Sequence, residues 1–339
     1  MRAWVLEEYG RPFVRRDVPV PAHGPSEVLV RVKNVGVCGT DLKIRAGRMG
    51  LDVLPLIMGH EVAGEVAEVG RDVTGFAPGD RVTVNFYLTC RQCRFCRAGR
   101  DTLCESVTQH GFSIAGGFAE YMKTPAANLC RVPDHVSLEG ASILADAVAT
   151  SYHAVTKRAR ITPGQRVVLV GVGGVGLHAV QMARLAGAWV MAVDVSAERL
   201  EMAKTLGADA AIDARREPFH EAVRRLTDGQ GADAVIEFVA NKDTLPSSYA
   251  SLGRAGRLVF VGYTPGLPLS VLPHELVRNE WEILGSRANT TQELEETMAL
   301  VAQGRIRPIV DRVVPFDDIE AAYDLLREGR ALGRTVIAV

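Results

Sequence analysis

The chain has 339 residues, 47% of them hydrophobic and 23% charged, a composition that can bury a sizeable core and excludes a disordered chain. Lys plus Arg number 39 and Asp plus Glu 40, so the net charge is −1 and the basic excess of a nucleic-acid or anionic-membrane binder is absent. Aromatic residues are 6%, too few for a base-stacking platform. The start, MRAWVLEEYG, carries two Glu and no apolar run, so a signal peptide is not expected. Through the first 145 residues, short β-like runs such as Glu27–Val32 and Val62–Val69 are separated by Gly, Pro and Asp. That pattern predicts an antiparallel, barrel-like unit. From Gln165 onward the texture changes to apolar runs at Val167–Val170, Trp189–Val193, Ala234–Val239, Leu258–Val261 and Ile283–Leu284. Helical patterns at Val175–Leu185, Ala197–Leu206 and His220–Leu226 lie between them, as in βαβ units on a parallel sheet. From about Asn289 the tail reads as helix (Gln292–Ala302), loop with Pro308, strand, helix (Ile319–Glu328) and final strand (Arg334–Val339). The longest charge-free stretch, Val167–Ala183, contains Gly at 171, 173, 174 and 176 and falls short of the roughly 20 residues of a membrane span. A cytoplasmic protein is expected, its six Cys as thiols.

Three motifs carry chemistry. Cys90, Cys93, Cys96 and Cys104 are spaced Cys-x2-Cys-x2-Cys-x7-Cys, close enough to surround one zinc ion with four thiolates. An iron–sulfur cluster is disfavoured, because the fourth Cys comes late and no Pro follows it. Arg91, Arg94, Arg97 and Arg100 recur among these cysteines. They either offset the thiolate charge or form a solvated loop face. Cys38 in Gly-Val-Cys-Gly-Thr-Asp and His60 in Gly-His-Glu are two dispersed candidate ligands, and a catalytic zinc with one open position wants a third. Gly171-Val-Gly173-Gly174-Val175-Gly176 follows one apolar run and opens a helical pattern, the context of a dinucleotide-binding turn. Its helix N-terminus suits a pyrophosphate. Asp194, about 20 residues on, is placed to accept from a ribose 2′-OH and to repel a 2′-phosphate, so NAD is expected over NADP. Arg199 is nearby and is of the type that holds a 2′-phosphate.

These residues resemble the zinc-dependent medium-chain alcohol dehydrogenase family. The stretch Gly59-His60-Glu61-x2-Gly64-x5-Gly70-x2-Val73 is similar to its zinc signature, and the four-cysteine lobe, the Gly-rich loop and Gly333-Arg334-Thr335-Val336 also match. The resemblance spans essentially the whole chain. It implies an α/β protein: an N-terminal GroES-like β-barrel catalytic domain (1–147), a Rossmann doubly wound parallel-sheet domain (148–287) and a return to the catalytic domain (288–339). It implies Cys38, His60 and Asp146 as ligands of a catalytic zinc, with Glu61 a transient ligand or a nearby orienting carboxylate. The structural zinc would sit on Cys90, Cys93, Cys96 and Cys104, giving two zinc ions per chain. Thr40 would bind the substrate oxygen and start a proton relay. Lys43 stands where the relay commonly ends in His, a departure from the family. Thr150, Val175 and Gly262 would lie near the nicotinamide. Arg334 would bind the pyrophosphate or form a structural ion pair.

The implied activity is hydride transfer between NAD and an alcohol, secondary or cyclic, giving a ketone or aldehyde. A polyol or sugar dehydrogenase is the alternative within the family, and a non-catalytic nucleotide-binding protein the alternative outside it. A zinc-free reductase is disfavoured because Cys38, His60 and Asp146 are all present. The expected partners are the small alcohol or carbonyl substrate and further copies of the chain, as a homo-dimer or homo-tetramer, with no nucleic acid and no membrane.

Overall fold

The computed structural model of the chain describes all 339 residues. They fall into two units, Met1–Ala149 with Asn289–Val339, and Thr150–Ala288. No helix is long and apolar enough to cross a membrane.

Strand Glu27–Val37 organises the first unit. Its Val and Leu side chains are buried along nearly the whole length. On one side it pairs antiparallel with Glu61–Val69. On the other, its first half pairs with Tyr121–Pro125 and its second half with Arg334–Ala338. Register shifts at Leu29/Val30 and Val32/Asn34 bend the strand so that the two halves serve different neighbours. The sheet has seven strands, with Arg81–Val84 and Leu129–Arg131 beyond Glu61–Val69, and Val310–Pro315 beyond Arg334–Ala338. The sequence pattern located the runs at 27–32 and 62–69 but not the continuation to Val37, where Lys33 and Asn34 interrupt the apolar run.

Register then decides what meets at the end of this sheet. Gly36 lies opposite both Glu61 and Val336, and Val37 lies opposite Thr335. Cys38, Glu61 and Arg334 therefore arrive at one place from three distant parts of the sequence. Gly36 is required there, because an added Cβ would collide with the Glu61 carboxylate. The C-terminal return is tied in by Asn289, whose Nδ2 donates to Ala145 O at 2.7 Å. Helix Thr291–Ala302 follows, started by a capping box between Thr290 and Glu293.

The second unit is a six-stranded parallel sheet. In space the order is Ala210–Asp213, Trp189–Asp194, Arg166–Val170, Ala232–Glu237, Leu252–Phe260 and Glu282–Gly285. This is the doubly wound order, with its reversal beside Arg166–Val170. Val168, Val170, Met191, Val193, Val235 and Leu258 are buried in its core, as continuous apolar strands covered on both faces should be. The helices Gly176–Leu185, Ala197–Thr205 and Phe219–Leu226 fall within a residue of the expected patterns. Several elements escape the sequence reading, among them the helical segment His153–Arg158. Strand Ala210–Asp213 is short and alanine-rich, and helices Thr244–Ala250 and Pro273–Asn279 contain or begin with Pro. The apolar run at 234–239 also overruns its strand, which stops at Glu237.

Replacing Gly36 with Ala tests the register. Overpacking against a buried carboxylate is expected to destabilise the fold by about 1–3 kcal/mol. Urea unfolding measures this, and a wild-type midpoint would show that the strands separate there without cost.

Candidate active site

Cys38 ends the central strand and caps helix Gly39–Arg45. Its Sγ accepts from Thr40 N at 3.5 Å, and Asp41 Oδ2 accepts from Cys38 N at 2.8 Å. A sulfur thus takes the place that a Ser or Asp oxygen usually takes at a helix start. The same Asp41 is fully buried, and its other oxygen lies 3.2 Å from His60 Nδ1. Neither atom makes an aligned hydrogen bond, so the pair is within reach but not closed. The His60 ring is held between Phe86 and Phe112, each with its centroid 5.0 Å away.

Asp146 lies between the short 3₁₀ turn Ile143–Ala145 and helix Ala147–Tyr152. Its Oδ2 is 3.4 Å from Cys38 Sγ and 3.7 Å from His60 Nε2. Arg334, at the start of its strand, is 4% exposed. Its Nε donates to Glu61 Oε1 at 2.9 Å, and its Nη2 lies 3.0 Å from Asp146 Oδ2 and 3.3 Å from Cys38 Sγ. Of the two roles that sequence leaves open for Arg334, the ion pair is the one formed here. Glu61 Oε2 is buried without a partner. One ligand atom from each of Cys38, His60, Glu61 and Asp146 falls within 4.8 Å of the others.

The electrostatics of this cluster agree in direction. Burial pushes the Glu61 carboxyl up to about 8, against the pull of Arg334 and with the push of Asp146. Burial opposes charge on His60, yet Asp41, Asp146 and Cys38 hold its pKa well above the ordinary imidazole value. Burial also opposes charge on Arg334, and Cys38, Glu61 and Asp146 override it. A bound metal ion would take the place of the proton on His60 and meet the donors of Cys38, Glu61 and Asp146, so the cluster suits a metal cation.

The four-cysteine lobe is built locally. Cys93 precedes the short helix Arg94–Arg97, and all six cysteines of the chain are unbridged. Cys93 Sγ lies 3.6 Å from Cys96 Sγ, and Cys90 Sγ lies 4.0 Å from Cys96 Sγ. A tetrahedron with zinc–sulfur bonds of about 2.3 Å has edges of about 3.8 Å. A disulfide would need about 2.05 Å. Backbone N–H groups of Cys90 and Cys93 donate to the sulfurs of Cys104 and Cys90, each at 3.3 Å. Such amide bonds lower the pKa of Cys90 and Cys93, whereas burial pushes Cys96 up to about 12. Sulfurs ringed by N–H donors are placed as acceptors, which suits thiolates. Among the arginines, Arg91 Nη2 reaches Ala127 O at 2.6 Å, and Arg94 pairs with Glu105 at 3.1 Å while stacking on Phe95. Arg94 is 78% exposed, and the solvated-face reading fits it better than charge compensation.

In the second unit, Gly171 holds φ 87°, and a Cβ there would collide with Val239. A Cβ on Gly176 would collide with Gly171 O. Gly173 faces open space, with Arg199 Nη1 3.9 Å from where its Cβ would lie. Gly174 O accepts from His178 Nδ1 at 2.7 Å, and Val175 precedes the helix. Asp194 Oδ2 accepts from Val172 N at 2.9 Å, and Oδ1 accepts from Val195 N and Ser196 N at 2.8 and 3.0 Å. A carboxylate has about four lone-pair sites, so three amides leave room for a ribose hydroxyl. Sequence spacing suggests a ribose contact for Asp194 and does not show that it ties two loops together. Arg199 lies 3.9 Å from Asp194. Gly262 donates to Glu237 O at 2.9 Å.

Two family models match the chain. The alcohol dehydrogenase GroES-like domain covers residues 24–134 and the zinc-binding dehydrogenase domain residues 174–303. An alcohol dehydrogenase of Geobacillus stearothermophilus is 36% identical over 342 residues, covering all of both chains. An NAD-dependent alcohol dehydrogenase of Sulfolobus acidocaldarius is 35% identical, again over the whole of both. The crystal structure of the alcohol dehydrogenase of Aeropyrum pernix superposes with TM-score 0.94 at 38% identity, and each chain is covered in full. The chain belongs to the zinc-dependent medium-chain alcohol dehydrogenase family. This dehydrogenase is an oxidoreductase with a GroES-like and a Rossmann unit.

Family membership implies zinc and NAD, and the residues present fit both. The buried set of one sulfur, one imidazole and carboxylates, with Glu61 Oε2 unpartnered, is a donor set that zinc accepts. The four sulfurs of the lobe lie within 4.8 Å of one another. The open space at Gly173 is a cradle that a Cβ would narrow. Asp41 is the residue of this dehydrogenase that sequence reasoning passed over. Its signal was the spacing Cys38-x2-Asp41, a capping box in which Cys stands for Ser. Replacing Asp41 with Asn keeps a cap acceptor but turns an N–H toward His60. Zinc retention is expected to weaken about 10–100-fold, as when other outer partners of ligating His are lost. Competition with a chromophoric chelator measures this, and wild-type retention would limit Asp41 to its helix.

Proposed function

We propose that this dehydrogenase uses two zinc ions per chain and oxidises secondary or cyclic alcohols with NAD, or reduces the corresponding ketones. The observation that carries the reading is the convergence of Cys38, His60 and Asp146 in one buried cluster. These three residues would hold the catalytic zinc, and the lobe cysteines the structural one. When bound, zinc supplies a Lewis acid that favours loss of the alcohol proton, and the nicotinamide supplies the hydride acceptor. Thr40, half-buried at the helix start beside Cys38, accepts the hydroxyl proton of the substrate and passes it on. Asp194 binds the ribose, and Thr150, Val175 and Gly262 orient the nicotinamide. Arg334 keeps Glu61 paired at rest, leaving Glu61 Oε2 as a reserve ligand. The chain acts in the cytoplasm as a homo-dimer or homo-tetramer. Unbridged cysteines support the compartment, and the exposed Leu272 and Val277 support a covered face.

A panel of primary, secondary, cyclic and polyhydric alcohols with NAD and NADP tests the reading by absorbance of the reduced cofactor. Highest kcat/KM with a secondary or cyclic alcohol and NAD is expected. Preference for polyols, or for NADP, would contradict it.

Lys43 is proposed to end the relay from Thr40. Burial holds its ammonium below the ordinary Lys pKa, with Cys38 acting in the opposite sense. The neutral amine is the proton acceptor, so its share grows as pH rises through this lowered pKa. General-base help of this kind is worth about 100-fold or more, and a solvent route limits the loss. Lys43→Ala is expected to lose about tenfold in kcat at neutral pH, the deficit widening as pH rises through the lowered Lys pKa and shrinking only at high pH, where hydroxide replaces the amine. Small amines should restore part of the rate. An unchanged pH–rate profile without amine rescue would leave Thr40 with a direct path to solvent.

A further inference from the structure

Glu237 ends strand Ala232–Glu237 with its side chain fully buried. Its Oε2 accepts from Val239 N at 3.1 Å and from Ala240 N at 3.0 Å. Its Oε1 accepts from Ser248 Oγ at 3.0 Å. Ala240 has φ 48°, a left-handed conformation that a side chain adopts with strain. That conformation turns two successive N–H groups toward one oxygen, a small nest suited to an anion. The carboxylate thus compensates the strain of the turn that follows the strand.

The turn borders the nucleotide loop. Val239 Cγ2 occupies the space that a Cβ on Gly171 would need. Phe238 Cδ2 is 3.5 Å from where a Cβ on Gly176 would lie, and Phe238 O fills the space beside Gly262. The Glu237 carbonyl accepts from both Val261 N and Gly262 N at 2.9 Å. One residue therefore holds the segment packed against Gly171, Gly176 and Gly262. Its side chain has no exposure through which to touch a ligand.

We propose that Glu237 is a positioning residue of the nucleotide site, acting through Val239 and Gly262. The inference rests on NAD binding at the Gly171–Gly176 loop. Replacing Glu237 with Leu removes the acceptor for two amides at nearly constant volume. Replacing it with Gln keeps one oxygen for the amides, and its N–H can donate to the Ser248 hydroxyl.

Calorimetric titration of the purified enzyme with NAD, paired with steady-state kinetics, tests this. Glu237→Leu is expected to raise Kd and KM for NAD about tenfold, with KM for alcohol within about threefold of wild type. Glu237→Gln is expected to return Kd to within about threefold of wild type. Should Glu237→Leu not fold, Ser248→Ala is the second variant, with an expected rise of about threefold in Kd. Wild-type Kd in whichever of these variants folds would overturn the proposal. Equal losses in Glu237→Gln and Glu237→Leu would also overturn it, since charge rather than positioning would then be at work. Failure of the wild type to bind NAD would instead overturn the functional reading.

Discussion

The buried guanidinium of Arg334 is the constraint on which the metal cluster depends. Cys38, Glu61 and Asp146 come from three separate segments and converge where water is excluded. Bringing acidic groups together out of water is costly unless a cation is fixed among them. Arg334 is that cation, reaching Glu61, Asp146 and Cys38 at 2.9, 3.0 and 3.3 Å. Its position follows from backbone pairing, since Thr335 and Val336 are locked opposite Val37 and Gly36. The C-terminal return is thus needed to complete a site begun in the first sixty residues. Cys38, His60, Glu61 and Asp146 leave one ligand atom each within 4.8 Å of the others, a donor set suited to a metal ion beside Arg334.

The two candidate metal sites illustrate different ways of assembling ligands. The lobe draws its sulfurs from fifteen consecutive residues and orders them with its own amides. The buried cluster draws on residues spread from 38 to 334, so sheet register does the work that local turns do in the lobe. The nucleotide loop lies between these extremes. Its glycines are local, but their neighbours come from the ends of adjacent strands, through Asp194 and the Phe238–Val239 turn.

What could be read from the sequence follows this division. The lobe spacing and the strand–turn–helix around Gly171 are contiguous, and both fold as their spacing implies. Asp146 has no local mark as a ligand and was reached only through resemblance. Arg334 was open between two roles because burial is invisible in a four-residue motif. Asp41 was hidden because Cys rarely caps a helix, so the capping box went unread. Glu237 was absorbed into an apolar run, since one acidic residue at the end of a strand reads as an interruption. For Asp146 and Arg334 the missing information is a long-range partner, and for Asp41 and Glu237 it is a local side-chain bond to the backbone. Periodicity carries neither kind of partner, and tertiary register supplies only the first.

Shared neutralisation of the buried acidic cluster by Arg334 and one metal ion, with a second ion in the lobe, sets a metal count that can be measured. Native mass spectrometry of chelator-free protein tests it most directly. Two zinc ions per wild-type chain and one in Cys38→Ala/Asp146→Ala are expected. Fewer than two in the wild type, or two in that variant, would contradict it.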